Sequence, residues 1–145
     1  MPESTFAHTA HAAATPAHIW NALQDAETWL GLGVMDAVSN PVVDQGRLTS
    51  FDWTAVAAGT RHRGRSRTID AVPGQLMVLA LDSAEVAGEI AVALHAEAAG
   101  TALTVTLTAR SRGFIAGMFW GRVSAALGKG LVAQVDGFAA RFQRA

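Results

Sequence analysis

The feature that most restricts this chain is a change of period at Gly113. Between Met35 and Arg110, apolar side chains come in short runs that turn residues interrupt about every ten positions. Beyond Gly113 they recur every third or fourth residue. A period of two belongs to a strand with one buried face, and a period near 3.6 to an amphipathic helix. The first region therefore predicts an antiparallel meander, with Asp44-Gln45-Gly46, Ala58-Gly59, Pro73-Gly74, Asp82-Ser83 and Ala99-Gly100 as its turns. Six strands result, and residues 4–12 alternate well enough to add a first one, giving seven. Between strand 1 and the meander, Thr15-Pro16 opens a short helix that runs to about Leu23. Asp25 then caps a second turn around Trp29, which Gly31 and Gly33 end. The last segment predicts a helix of roughly 30 residues, about 45 Å long. Its stripe is Trp120, Leu127, Leu131, Val135, Phe138 and Phe142, with Arg122, Lys129, Asp136 and Gln143 opposite. A one-faced sheet and a one-faced helix bury each other, so the expectation is an α+β fold forming a single domain over residues 1–145.

Alternation also assigns the faces. Ile90, Val92 and Leu94 point inward against Glu89, His95 and Glu97, and Leu103, Val105 and Leu107 oppose Thr104, Thr106 and Thr108. The fourth strand puts Arg61, Arg63, Arg65 and Arg67 on one face and His62, Gly64, Ser66 and Thr68 on the other. Four arginines belong outside, where charge also discourages sheet edges from pairing.

With 50% hydrophobic and 16% charged residues, the chain is too apolar to be disordered, and a net charge of −1 supplies no field to gather nucleic acid. No cysteine is present, which excludes disulfides, a thiolate nucleophile and cysteine-based metal centres. The start, Met-Pro-Glu-Ser-Thr, lacks the basic-then-apolar pattern of a secretion signal. The most apolar long segment carries Arg122, Lys129, Asp136 and Arg141, so no membrane span is expected and a cytoplasmic location is.

Several phrases carry a family resemblance: ATPAHIWNALQDAETW from Ala14 to Trp29, IDAVPGQLM from Ile69 to Met77, AAGTALTVTLTA from Ala98 to Ala109, and the closing amphipathic helix. Together with the element order they resemble the START-like or SRPBCC superfamily, which includes pollen allergens, lipid-transfer domains and polyketide cyclases. The resemblance implies a helix-grip fold: two short helices after strand 1, and a seven-stranded curved antiparallel sheet wrapped around the long C-terminal helix, with a cavity between. Two departures stand out. The glycine-rich loop that pollen allergens carry after the second strand is reduced to Asp44-Gln45-Gly46, and tyrosine is absent.

A pocket for a small apolar molecule needs mainly aliphatic and aromatic walls with a few orienting polar groups. Phe51 and Trp53 supply aromatic surface from the third strand. The inward aliphatics Ile90, Val92, Leu94, Leu103, Val105 and Leu107 come from the sixth and seventh, and Trp120, Leu127 and Leu131 from the last helix. All of these can equally fill a core. His62 and His8 are the polar candidates on inner faces, able to orient a carbonyl or move a proton, and they are the catalytic candidates if the protein is an enzyme. His8 and His11 lie three apart on a strand, point to opposite faces and are expected to have no carboxylate beside them, so neither a metal nor any other cofactor is expected. The terminal helix tolerates Gly117, Gly121, Gly128, Gly130 and Gly137, which suggests close approach of backbone or ligand. Phe114, Ile115, Met118 and Phe119 fall off its main stripe as a candidate partner surface or gate.

The reading favours a binder or carrier of a small hydrophobic molecule of lipid, polyketide or aromatic type, as a monomer or homodimer. The alternatives are a polyketide cyclase/dehydratase-like enzyme using the same cavity and an antitoxin-like or chaperone-like interaction module.

Overall fold

The computed structural model describes residues 3–31, 35–57, 60–84, 86–112 and 120–142. In chain order these form β1 (Glu3–Ala12), α1 (Pro16–Leu23), a 3₁₀ helix (Ala26–Gly31), β2 (Met35–Asp44), β3 (Arg47–Ala57), β4 (Thr60–Val72), β5 (Leu76–Ser83), β6 (Val86–Glu97), β7 (Gly100–Ser111) and α2 (Trp120–Ala140). The seven strands make one antiparallel sheet in the order β1-β7-β6-β5-β4-β3-β2. Sequential hairpins supply every pairing except β1–β7, which brings the first strand beside the last. The sheet grips α2, which packs chiefly on β1 and also reaches β7 and β3. This is the helix-grip fold that the resemblance implied.

Local chemistry explains the element ends. The Thr15 hydroxyl accepts from the His18 backbone N–H at 3.2 Å, with Pro16 at the first helical position. Asp25 does the same for Glu27 at 3.0 Å, opening the 3₁₀ helix. That helix is locked inward because the Trp29 indole donates to the Leu23 carbonyl at 3.0 Å and Trp29 is fully buried. Gln24 ties the α1 end to the sheet, accepting from the Leu48 N–H at 3.0 Å. Gly74, at φ +75°, fits the third position of a turn after Pro73.

Two expected turns sit elsewhere. Asp82 and Ser83 belong to β5, because the Ser83 hydroxyl donates to the Val86 carbonyl (2.7 Å) and accepts from its N–H (3.0 Å). This holds both residues in the ladder opposite β4. The turn expected at Ala99-Gly100 occupies Ala98 and Ala99, and Gly100 opens β7 at φ +147°, where a Cβ would collide with the Ala12 carbonyl. At its C-terminal end α2 stops at Ala140, and a turn through Arg141 and Phe142 follows.

β2 is the most irregular strand. Its pairing with β3 slips between Ser39 and Val42, a stretch holding Asn40 at φ +51° and Pro41, and Val42 and Val43 are exposed. The opposite edge, β1, is regular over its whole length.

Candidate functional site

Residues paired directly across an antiparallel ladder share a face, so the register defines the inner surface strand by strand. On β1 the inner side chains are Ser4, Phe6, His8, Ala10 and Ala12, opposite Ala109, Leu107, Val105, Leu103 and Thr101 of β7. Leu107, Val105 and Leu103 in turn face Ile90, Val92 and Leu94 of β6. Farther along, Phe51, Trp53 and Ala55 of β3 sit opposite Ser66, Gly64 and His62 of β4, and Gly64 and Ser66 face Ser83 and Leu81 of β5. The structure thus brings Phe51, Trp53, His62, Ile90, Val92, Leu94, Leu103, Val105 and Leu107 onto one concave surface. Trp120 and Leu131 cover it from α2, and every apolar member of this set is buried. The side chain of Leu127 lies outside the described residues, as do Phe114, Ile115, Met118 and Phe119.

The helix is fixed by polar contacts along β1. The Trp120 indole donates to the Ser4 hydroxyl at 3.1 Å, and His8 Nε2 lies 2.7 Å from Asp136 Oδ1. Between them, Gly128 lets the Phe6 ring come within 2.5 Å of where its Cβ would stand. Contrary to the expectation from the sequence, His8 and His11 each have a carboxylate beside them, Asp136 for His8 and Glu97 at 3.0 Å for His11, brought from elements remote in the chain. The close approach expected at the helix glycines holds for Gly128, whereas a Cβ at Gly121 or Gly137 would meet open space. An open groove of about 350 Å³ runs between β1 and α2 past His8, Asp136, Ala139 and Ala140.

The other end of the inner surface differs in character. Gly64 has no side chain where the Trp53 ring lies, and a Cβ there would overlap the indole. Trp53 is 7% exposed, yet among the described residues its Nε1 has no hydrogen-bond partner; neither has His62 Nε2, nor Oε1 of Gln134 on α2. Ser66 is satisfied, donating to the Phe51 carbonyl at 3.3 Å. Gln134 was not among the candidates read from the sequence. It occupies a polar position beside the apolar stripe, where an amide reads as a solvated flank.

Outside, the arginines of β4 face away from this surface and are exposed. Arg61 pairs with Asp36 at 3.2 Å and Arg65 with Asp52 at 3.3 Å, and Arg65 and Arg67 line a shallow hollow with Asp82. The row is therefore partly neutralised by acids on β2 and β3. Among the described residues no three histidine, aspartate or glutamate side chains converge as a metal site would require, and no helix is long and apolar enough to cross a membrane.

No protein-family model and no curated protein sequence matches the chain. Solved structures do resemble it. The Zhui aromatase/cyclase from Streptomyces sp. R1128 superimposes with a TM-score of 0.72 over 99% of this chain and 98% of that one, at 19% identity. A START superfamily protein from Mycobacterium smegmatis gives 0.70 over 94% and 97%, at 12% identity. The di-domain ARO/CYC StfQ from the steffimycin biosynthetic pathway gives 0.61 at 17% identity, covering 96% of this chain and 51% of that one. At these identities the likeness is one of fold.

Proposed function

We propose that this chain, which has the START-like helix-grip fold, binds a small hydrophobic molecule of lipid, polyketide or aromatic type between the inner face of its sheet and α2. One observation carries the reading: in a buried and largely apolar setting, Trp53 Nε1, His62 Nε2 and Gln134 Oε1 have no partner among the described residues. Leaving a buried polar atom unpaired costs about 1–3 kcal/mol, and native proteins seldom do so without a use for the group. A molecule lodged there would pair these atoms while its apolar frame met Phe51 and the neighbouring aliphatics. Aromatase/cyclases among the superimposable structures are in keeping with such a role.

The same comparison favours a second reading, a cyclase/dehydratase-like enzyme, in which His62 passes a proton to or from the bound molecule. The test for both is titration with an apolar fluorescent dye. Saturable binding at one site per chain is expected, and Trp53→Ala should weaken it by about ten-fold, equivalent to about 1.4 kcal/mol, with Arg63→Ala on the outer face leaving it unchanged. Under the enzyme reading, His62→Ala keeps most of the affinity and abolishes turnover of a polyketide-like substrate. Diffuse, non-saturating fluorescence from folded protein would sink the binding reading and the enzyme reading with it.

A further inference from the structure

The three unpartnered atoms differ in what they ask of a ligand. An indole N–H only donates, and the oxygen of a glutamine amide only accepts, whereas a histidine nitrogen does either according to its tautomer. They also stand on different walls. Trp53 and His62 share the sheet face where β3 meets β4, Trp53 opposite Gly64 and His62 opposite Ala55. Gln134 is on the helix. Gly128 and Asp136 of α2 both meet β1, through Phe6 and His8. Gln134 precedes Asp136 by two residues, a rotation of about 200° around the axis, so the two side chains leave the helix on nearly opposite sides, and α2 also packs on β3, the strand that carries Trp53. Leu131 and Phe138, the buried residues of the same stripe, flank it.

Resting on the binding reading above, we infer that Trp53, His62 and Gln134 form a polar recognition set. The ligand it selects carries an acceptor oxygen and, at a separate point, a hydroxyl, on a ring-bearing apolar frame. A keto group takes the Trp53 N–H and a hydroxyl gives its proton to Gln134 Oε1, with His62 meeting either kind of oxygen. Phe51 and Trp53, adjacent inward positions of β3, supply the aromatic wall against which rings pack edge-on or offset. A saturated hydrocarbon tail answers neither request. An ionised fatty acid answers only the first, since its carboxylate has no proton to give Gln134.

The experiment uses three compounds of one frame, tetralin, tetralone and a hydroxylated tetralone, titrated against the whole chain by displacement of a bound apolar dye. Each new hydrogen bond to a previously unpaired buried atom should tighten binding by about ten-fold. The expected order is hydroxylated tetralone, then tetralone, then tetralin. Gln134→Met should erase the advantage of the hydroxyl and keep that of the ketone, and Trp53→Phe should do the reverse. The two positions lie on opposite walls, so if one variant fails to fold the other still decides. Gln134→Met should also melt, without ligand, at the native temperature or above it, because it removes an unpaired amide oxygen. Equal affinity for all three compounds overturns the recognition set and leaves the binding reading standing. Absence of binding by the dye and by all three compounds overturns both. A lower melting temperature for Gln134→Met with unchanged affinities also overturns it, for the amide then serves the fold.

Discussion

Under α2, strands β1, β7 and β6 and the farther strands β3, β4 and β5 make up two unlike halves of one sheet. In the first half, Ile90, Val92, Leu103, Val105 and Leu107 are at most 2% exposed, and the polar side chains that enter are answered. Ser4 accepts from Trp120, His8 meets Asp136, and Thr101 donates to the Ala14 carbonyl at 2.7 Å. In the second half the inner rows mix Phe51, Trp53 and Leu79 with His62, Gly64, Ser66 and Ser83, and two of the polar atoms go unanswered. A fully buried apolar face supplies stability, and a face that keeps unpaired donors and acceptors forgoes some of it; under the function proposed above, the difference is a division of labour between holding the fold and holding a ligand.

The largest effect expected follows from attacking the packed half. Leu131 is fully buried on α2, and Leu131→Asp forfeits about 1.5–3 kcal/mol of burial and adds the desolvation of a carboxylate, against a total stability of about 5–15 kcal/mol. Circular dichroism should show no cooperative melt, and a native-like transition would mean that the helix does not hold this half together. A pair of glycines sharpens the contrast. A Cβ at Gly88 of β6 overlaps the Thr108 carbonyl of the neighbouring strand, so Gly88→Ala should cost about 1–3 kcal/mol in urea denaturation. Gly64→Ala instead pushes on the Trp53 ring and the Asp82 carbonyl, and its mark should be lost dye affinity as well as lost stability. Undiminished affinity in that variant would remove the indole from the site. The smallest effects lie on the helix. Gly137→Ala should add about 0.5–1 kcal/mol, a rise of roughly 2–4 °C in melting temperature, because a Cβ there meets nothing. Gly128→Ala should not share that gain, since Phe6 occupies the space. An equal rise in both would show that the contact along β1 is loose.

The periods that separate sheet from helix are local, so the strand count, the inward rows Ile90-Val92-Leu94 and Leu103-Val105-Leu107, and the stripe through Leu131, Val135 and Phe138 could be read directly from the residues. Alternation likewise placed His62 inside and Arg61 to Arg67 outside. What escaped reading depends on partners far apart in the chain. Nothing near His8 announces Asp136, 128 positions later, and nothing near Trp53 says that position 64 is glycine in order to receive its ring. Ser83 misled because serine beside aspartate usually marks a turn, whereas here its hydroxyl serves the ladder. Gln134 was invisible for a different reason. An amide on the flank of an amphipathic helix looks the same whether its oxygen meets water or is buried.

The slipped ladder of β2 has a consequence for how these molecules meet one another. A straight, regular edge strand offers a row of free N–H and C=O groups on which a second sheet can grow, and repetition of that step is the route to a fibre. Pro41 removes one donor from the edge, and Asn40 turns the backbone out of line just before the exposed Val42 and Val43. An incoming strand could match this rim for only a few residues before losing register. The irregularity therefore serves as a stop codon of geometry: elongation by strand addition is terminated at β2, even with two valines there inviting contact.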